Sequence, residues 1–201
     1  MAHHALYEEF GKSRIPLLVE QMKSICDTME SQGIKYWIDK GTLLGACRNG
    51  QWIPDDKDFD VCFFRSDFDA VQTICEANTN FKTIVHSFEI DPMIRLFWME
   101  TPEQVFSNEY LYVDLYPQII VDNMVMEDTN RGRSTEGVYS IRKFNRSFID
   151  ITASINYCGH AFNCPSDLVN FVSGTHRYGA MWQTEENMGS LSRSMAMSIN
   201  T

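Results

Sequence analysis

Four acids crowd six positions in the run Ile53-Pro54-Asp55-Asp56-Lys57-Asp58-Phe59-Asp60-Val61, and the last two enter an apolar segment. Residues two apart on a strand share a face, so Asp58 and Asp60 would direct both carboxylates to one point. Two carboxylates there can hold a divalent ion. Phosphoryl and nucleotidyl transfer use such an ion because charge on the phosphate oxygens must be neutralised while the attacking and leaving oxygens stay in line. Magnesium suits the task, with manganese as the alternative, since a hard cation takes carboxylate and phosphate oxygens and keeps several waters. Asp114, the one acid in Tyr110-Leu111-Tyr112-Val113-Asp114-Leu115-Tyr116, is the expected third carboxylate, binding a second ion or taking the proton of an acceptor hydroxyl. Asp55 and Asp56 read as peripheral.

An acidic run alone describes many solvated loops. Here the context is narrower. Upstream, Gly41-Thr42-Leu43-Leu44-Gly45-Ala46-Cys47-Arg48 reads as a turn entering a helix, whose backbone N–H groups could receive a phosphate. A helix start capped by Thr42 is the plainer alternative. Arg48 is a candidate phosphate contact or an ordinary surface residue. Arg95, inside Ile94-Arg95-Leu96-Phe97-Trp98, is a cation in so apolar a strand that it needs a partner. His86, His160 and His176 have no metal-ligand spacing with the cysteines and read as structural.

These residues need elements to hold them. Leu18, Met22, Ile25, Cys26 and Met29 recur at helical spacing, which predicts an amphipathic helix over about 7–32 with Gly33 as its stop. An apolar run at 34–38 precedes the glycine turn. After a loop at 49–57, residues 59–64 have a strand's bias and 66–77 read as a helix, while 81–88, 93–99, 110–116 and 119–126 read as further strands. The expected fold class is α+β, a mixed β-sheet flanked by helices. The polar stretch 127–136 predicts a mobile loop and 165–173 a short helix; the Ser- and Met-rich tail, 189–201, has no period and reads as flexible. The whole, 1–201, reads as one catalytic domain.

A net charge of −10 disfavours broad binding to a nucleic-acid backbone, which rests on many Lys and Arg contacts, although a divalent metal can reverse the local sign for a small anion. No apolar run approaches the roughly 20 residues of a membrane span, and Met1-Ala2-His3-His4 lacks the order of a secretion signal. Six cysteines without a Cys-x-x-Cys pair favour a reducing, cytoplasmic location. The sequon Asn145-Arg146-Ser147 keeps the secretory-pathway lumen as the alternative for an excised catalytic domain.

The run from Tyr36 to Arg48, followed by Ile53 to Val61, resembles the signature of the LicD and fukutin-related phosphotransferases: a Gly-Thr-Leu-Leu-Gly segment, an Arg soon after, then Ile-Pro and acids ending in Asp-x-Asp. Val113-Asp114-Leu115, Cys164-Pro165, Tyr178-Gly179 and Trp182 extend the likeness over about 30–185. The resemblance implies a nucleotidyltransferase-type fold and transfer of a phosphorylated alcohol, such as phosphocholine or ribitol phosphate, from a CDP-linked donor to a glycan or related hydroxyl acceptor. It implies that Gly41 and Thr42 hold donor phosphates and that Asp58, Asp60 and Asp114 hold magnesium. Members usually carry a second glycine where this chain has Lys40, and Trp-Asp-Asp where it has Asp55-Asp56-Lys57. Transfer of a nucleoside monophosphate to a small-molecule or protein hydroxyl, and an inactive nucleotide-binding module, are the competing expectations.

Overall fold

The predicted apolar stripe of the first helix faces the core: Leu18, Met22, Cys26 and Met29 are fully buried and Ile25 nearly so. The computed structural model describes residues 2–54, 56–88, 91–98, 111–127, 133–134, 137–138 and 143–175. Helix α1 spans Ala2–Ser31 and is followed by Gly33 at φ +74. In chain order come β1 (Tyr36–Ile38), α2 (Lys40–Asn49), β2 (Asp58–Phe64), a 3₁₀ turn (Arg65–Asp67), α3 (Phe68–Ala77), β3 (Phe81–Phe88), β4 (Asp91–Trp98), β5 (Tyr112–Val121) and β6 (Met124–Glu127). Then follow β7 (Arg133–Ser134), β8 (Gly137–Val138), β9 (Lys143–Asn145), α4 (Ser147–Asp150), β10 (Thr152–Tyr157), β11 (His160–Pro165) and α5 (Leu168–Thr175). No helix among the described residues is long and apolar enough to cross a membrane.

The main sheet runs β1-β2-β5-β4-β3, with β6 on β5 and β9 on β6. Among the described residues only β2 and β5 pair in parallel within it, so the sheet is mixed, as the sequence implies. Its register brings charged residues from three strands into line. Asp60 stands opposite Asp114 across β2 and β5, and Asp114 stands opposite Arg95 across β5 and β4.

The phase of β2 is set by its other face. Phe59 is fully buried, its ring 5.2 Å from that of Phe162 and 5.7 Å from that of Tyr157, both on the β10–β11 hairpin. Burying a phenylalanine stabilises by about 1.5–3 kcal/mol, and a one-residue slip would turn Phe59 out. Anchoring Phe59, Val61 and Phe63 on one face leaves Asp58 and Asp60 together on the other.

Several elements depart from expectation. The two strands expected at 110–116 and 119–126 are one strand through Pro117 and then a hairpin. On one edge β5 pairs with β4 through Leu115 and with β6 from Gln118, so neither Tyr116 nor Pro117 is registered to a partner there. Pro117 lies where no ladder bond is asked of it on that edge, and the strand continues. Asp122 and Asn123, at φ +49 and +64, then form the two-residue turn that the twist of a hairpin favours. The loop expected at 127–136 contains the end of β6 and two residues paired with Gly137–Val138, the rest lying outside the described residues. The β10–β11 hairpin was not foreseen at all; Cys158 and Gly159 make its turn at φ +50 and +86. The helix expected at 165–173 begins at Leu168, because Pro165 still pairs with Thr152 and Asp167 Oδ1 accepts the Asn170 N–H. His176, Tyr178-Gly179, Trp182 and the tail lie outside the described residues.

Candidate functional site

Strand β1 delivers the chain to α2 through Asp39, a fully buried acid whose role is local. Its Oδ1 accepts the Lys40 N–H at 2.7 Å, and its Oδ2 accepts from Trp37 Nε1 at 3.3 Å and Cys62 Sγ at 3.5 Å. Its own N–H donates to the Asp60 carbonyl at 3.2 Å. Asp39 is thus the N-cap and ties the helix start to β2. The sequence reading passed it over, although an aspartate just before a helical run is a standard start signal.

Thr42 has a structural task. Its side chain is buried, and its Oγ1 accepts the Asp60 backbone N–H at 2.8 Å. The hydroxyl therefore fixes β2 against α2. Gly41 lies closer to the acids: its N–H donates to Asp60 Oδ2 at 3.1 Å. A Cβ on Gly41 would come within 2.5 Å of Asp56 Oδ2, so only glycine lets that carboxylate approach.

Asp56, expected to be peripheral, belongs to the cluster. Its carboxyl hydrogen-bonds with that of Asp58 and is pushed up to about 7, chiefly by burial and then by Asp58. The Trp52 indole N–H donates to its backbone carbonyl at 3.0 Å and holds the loop in place. Asp60 is held well above the usual carboxylate range by burial first and by Asp58 second, with Lys40 acting in the opposite sense. Acids that suppress one another's ionisation in this way want a counter-charge.

Asp114 shares the face of Asp60, but its oxygens are engaged. Arg95 Nε donates to Oδ1 at 2.6 Å and Nη2 to Oδ2 at 2.7 Å, and the Tyr116 hydroxyl donates to Oδ2 at 3.0 Å. The guanidinium also lies over the Tyr112 ring, 4.2 Å from its centroid. The partner that Arg95 required is therefore the acid expected to bind metal. A bidentate pair of this kind is strong, and it occupies both oxygens of Asp114 in this structure. Arg48 occupies the last turn of α2, roughly 10 Å of helix rise from Gly41, where a cation complements the helix dipole.

Among the described residues, no three His, Cys, Asp or Glu side chains are gathered so as to hold a metal ion by themselves. The chemistry of the donors still fits magnesium, which is commonly held by one or two carboxylates and completed by waters and substrate phosphates. Asp58 and Asp60 are the pair that could serve, with Asp56 hydrogen-bonded beside them. Such an ion would supply the charge that the cluster lacks.

Two relatives named ribitol 5-phosphate transferase FKRP, from Mus musculus and Homo sapiens, are 27% and 26% identical to this chain over 112 residues, 56% of its length. The match takes in 22% of each relative, so the chain spans about a fifth of their length. Among solved structures, the lincomycin-bound lincosamide antibiotic adenylyltransferase LnuA aligns with a TM-score of 0.48 at 17% identity, over 89% of this chain and 96% of that one. Residues 33–167, from the β1 approach through β11, match the family described as LicD/FKTN/FKRP, nucleotidyltransferase domain, and so cover every residue of the site just described. The chain belongs to that family.

Proposed function

We propose that this protein is a magnesium-dependent transferase that moves a phospho-alcohol, of the ribitol phosphate or phosphocholine kind, from a CDP-linked donor to a hydroxyl of a glycan. Family membership and the activity named for the FKRP relatives support the reaction class. The observation that carries the reading is the approach of Asp56 and Asp60 to Gly41 at the N-terminal end of α2, with Asp58 hydrogen-bonded to Asp56.

Asp58 and Asp60 would hold the ion, which when bound neutralises charge on the donor's phosphate oxygens. The protein's own part is placement. Thr42 and Asp39 clamp the backbone of Asp60 from two sides, so its carboxylate is presented by a rigid strand. The Gly41 N–H, which donates to Asp60 Oδ2, stands at a helix end whose dipole favours an anion and would be open to a phosphate oxygen if that carboxylate held the ion. Arg95 holds Asp114 as a fixed neighbour of Asp60.

The reading is tested by titrating the protein with CDP-ribitol and CDP-choline by calorimetry, with and without magnesium or manganese. Binding should need the metal and be lost in the Asp58→Ala/Asp60→Ala double variant. Equal affinity with and without metal, or in the double variant, sinks the assignment. Mass spectrometry of a turnover mixture then separates the two transfer chemistries, since an acceptor carrying the nucleotide itself would replace phospho-alcohol transfer by nucleotidyl transfer.

A further inference from the structure

Lys40 opens α2 at φ +49, in the left-handed region disfavoured for every residue with a Cβ. The other described residues of this kind, Asp122, Asn123 and Cys158, sit in two-residue hairpin turns that demand it. Lys40 sits in no hairpin. The backbone there, between the extended cap Asp39 and the tightly approached Gly41, suits glycine, so the lysine is kept against the local conformational preference.

Its ammonium is held rather than loose. Nζ lies 3.1 Å from Glu127 Oε1 and 3.1 Å from the centroid of the Tyr116 ring, and both charged side chains are largely shielded from water. Neither contact belongs to Asp56, Asp58 or Asp60. Lys40 is nevertheless joined through its own peptide bond to Gly41, whose N–H touches Asp60. An ammonium has three donors, and Glu127 is the acceptor shown for one of them. The result is a cation stationed on the rim of an acidic cluster without being consumed by it. A cation of the sheet, Arg95, is already committed to Asp114.

We propose that Lys40 is a donor-phosphate contact: its ammonium, docked on Glu127 and Tyr116, binds a phosphate oxygen of the nucleoside diphosphate moiety on the side away from the metal acids. This rests on the transferase reading and adds to it a protein cation that acts together with the ion. A diphosphate, with charge on two phosphorus centres, can meet the metal and Lys40 at once; a monophosphate cannot meet both equally.

The test uses CDP as probe, by calorimetry in magnesium, against wild type, Lys40→Gly, Lys40→Met and Lys40→Arg, with circular dichroism to establish that each is folded. Lys40→Gly retains the conformation the turn asks for, so it separates the ammonium from the backbone. Loss of a charge-assisted bond should weaken CDP binding by at least about tenfold in Lys40→Gly and Lys40→Met, and flatten the dependence of Kd on salt. Lys40→Arg should retain most of the affinity. CMP should lose less affinity than CDP. If Lys40→Gly and Lys40→Met are folded and bind CDP as wild type does, the inference is overturned while the transferase reading stands. If wild type itself fails to bind CDP at any magnesium concentration, the transferase reading falls and takes this inference with it.

Discussion

Asp60 and Asp114 stand side by side in the parallel register of β2 and β5, yet one is held well above the usual carboxylate range by burial and by Asp58, and the other has both oxygens held by Arg95. The two acids therefore sit in different electrostatic settings, although the resemblance implies one role for both. Asp114→Ala would strand the Arg95 guanidinium, which is three-quarters covered, beside the acids. Leaving a covered charged group without its partner costs about 1–3 kcal/mol, discounted here for the part of Arg95 that reaches water. Urea unfolding should show that loss, and Arg95→Met combined with Asp114→Ala should recover part of it. Additive losses in the double variant would contradict the pairing.

Thr42 makes a second separable contribution. Thr42→Val removes the acceptor for the buried Asp60 N–H while keeping the shape of the side chain, and should cost about 1–3 kcal/mol in unfolding free energy. Thr42→Ser keeps the oxygen and should cost less. If Thr42→Val is as stable as wild type but loses nucleotide affinity, the hydroxyl serves the ligand and its structural task is mistaken.

Gly41→Ala places a methyl group 2.5 Å from Asp56 Oδ2, so the carboxylate must withdraw. That displacement should weaken metal-dependent CDP binding by about tenfold, a change of roughly 1.4 kcal/mol, while the fold survives because Asp56 lies on a loop and can swing aside. Unaltered affinity would show that Asp56 does not need its present place.

Much of this arrangement was legible in the residues. Alternation alone placed Asp58 and Asp60 on one face, because the face opposite is filled by Phe59, Val61 and Phe63. The helical stripe from Leu18 to Met29 was equally plain. What escaped was non-local or turn chemistry. The need of Arg95 for a partner could be foreseen, but naming Asp114 required knowing that β4 lies beside β5, a matter of strand order. Thr42 had a cap as its plainer reading and a donor-phosphate role by resemblance, and neither named the partner of its hydroxyl, the Asp60 N–H, which lies 18 residues on. Pro117 looked like a strand end and is instead a junction between two pairing partners. The β10–β11 hairpin had a signal, Cys158-Gly159 between two runs of strand-forming residues, a pattern that marks a tight turn.

The acidic cluster also fixes how the metal-free protein should respond to pH. Asp56 titrates at about 7 in the folded chain against 3.8 when unperturbed, and Asp60 is raised as well, each mainly by burial and then by Asp58. Around them the charged groups are Asp58 on β2, Lys40 at the start of α2 and Asp114 on β5. A carboxyl whose folded pKa is raised binds more protons folded than unfolded, so stability falls as pH rises. Its contribution is complete below about pH 4 and is lost as pH climbs through 7. Urea unfolding in chelator should therefore give a lower midpoint at pH 8 than at pH 5.5. Asp56→Asn should reduce the difference by removing one of the titrating groups. Added magnesium should restore stability most at the higher pH, because the ion binds the deprotonated carboxylates of the folded state and little else. A midpoint in chelator that is flat or rising between pH 5.5 and pH 8 would mean that these acids do not burden one another, and with that the electrostatic case for a cation at Asp58 and Asp60 would be gone.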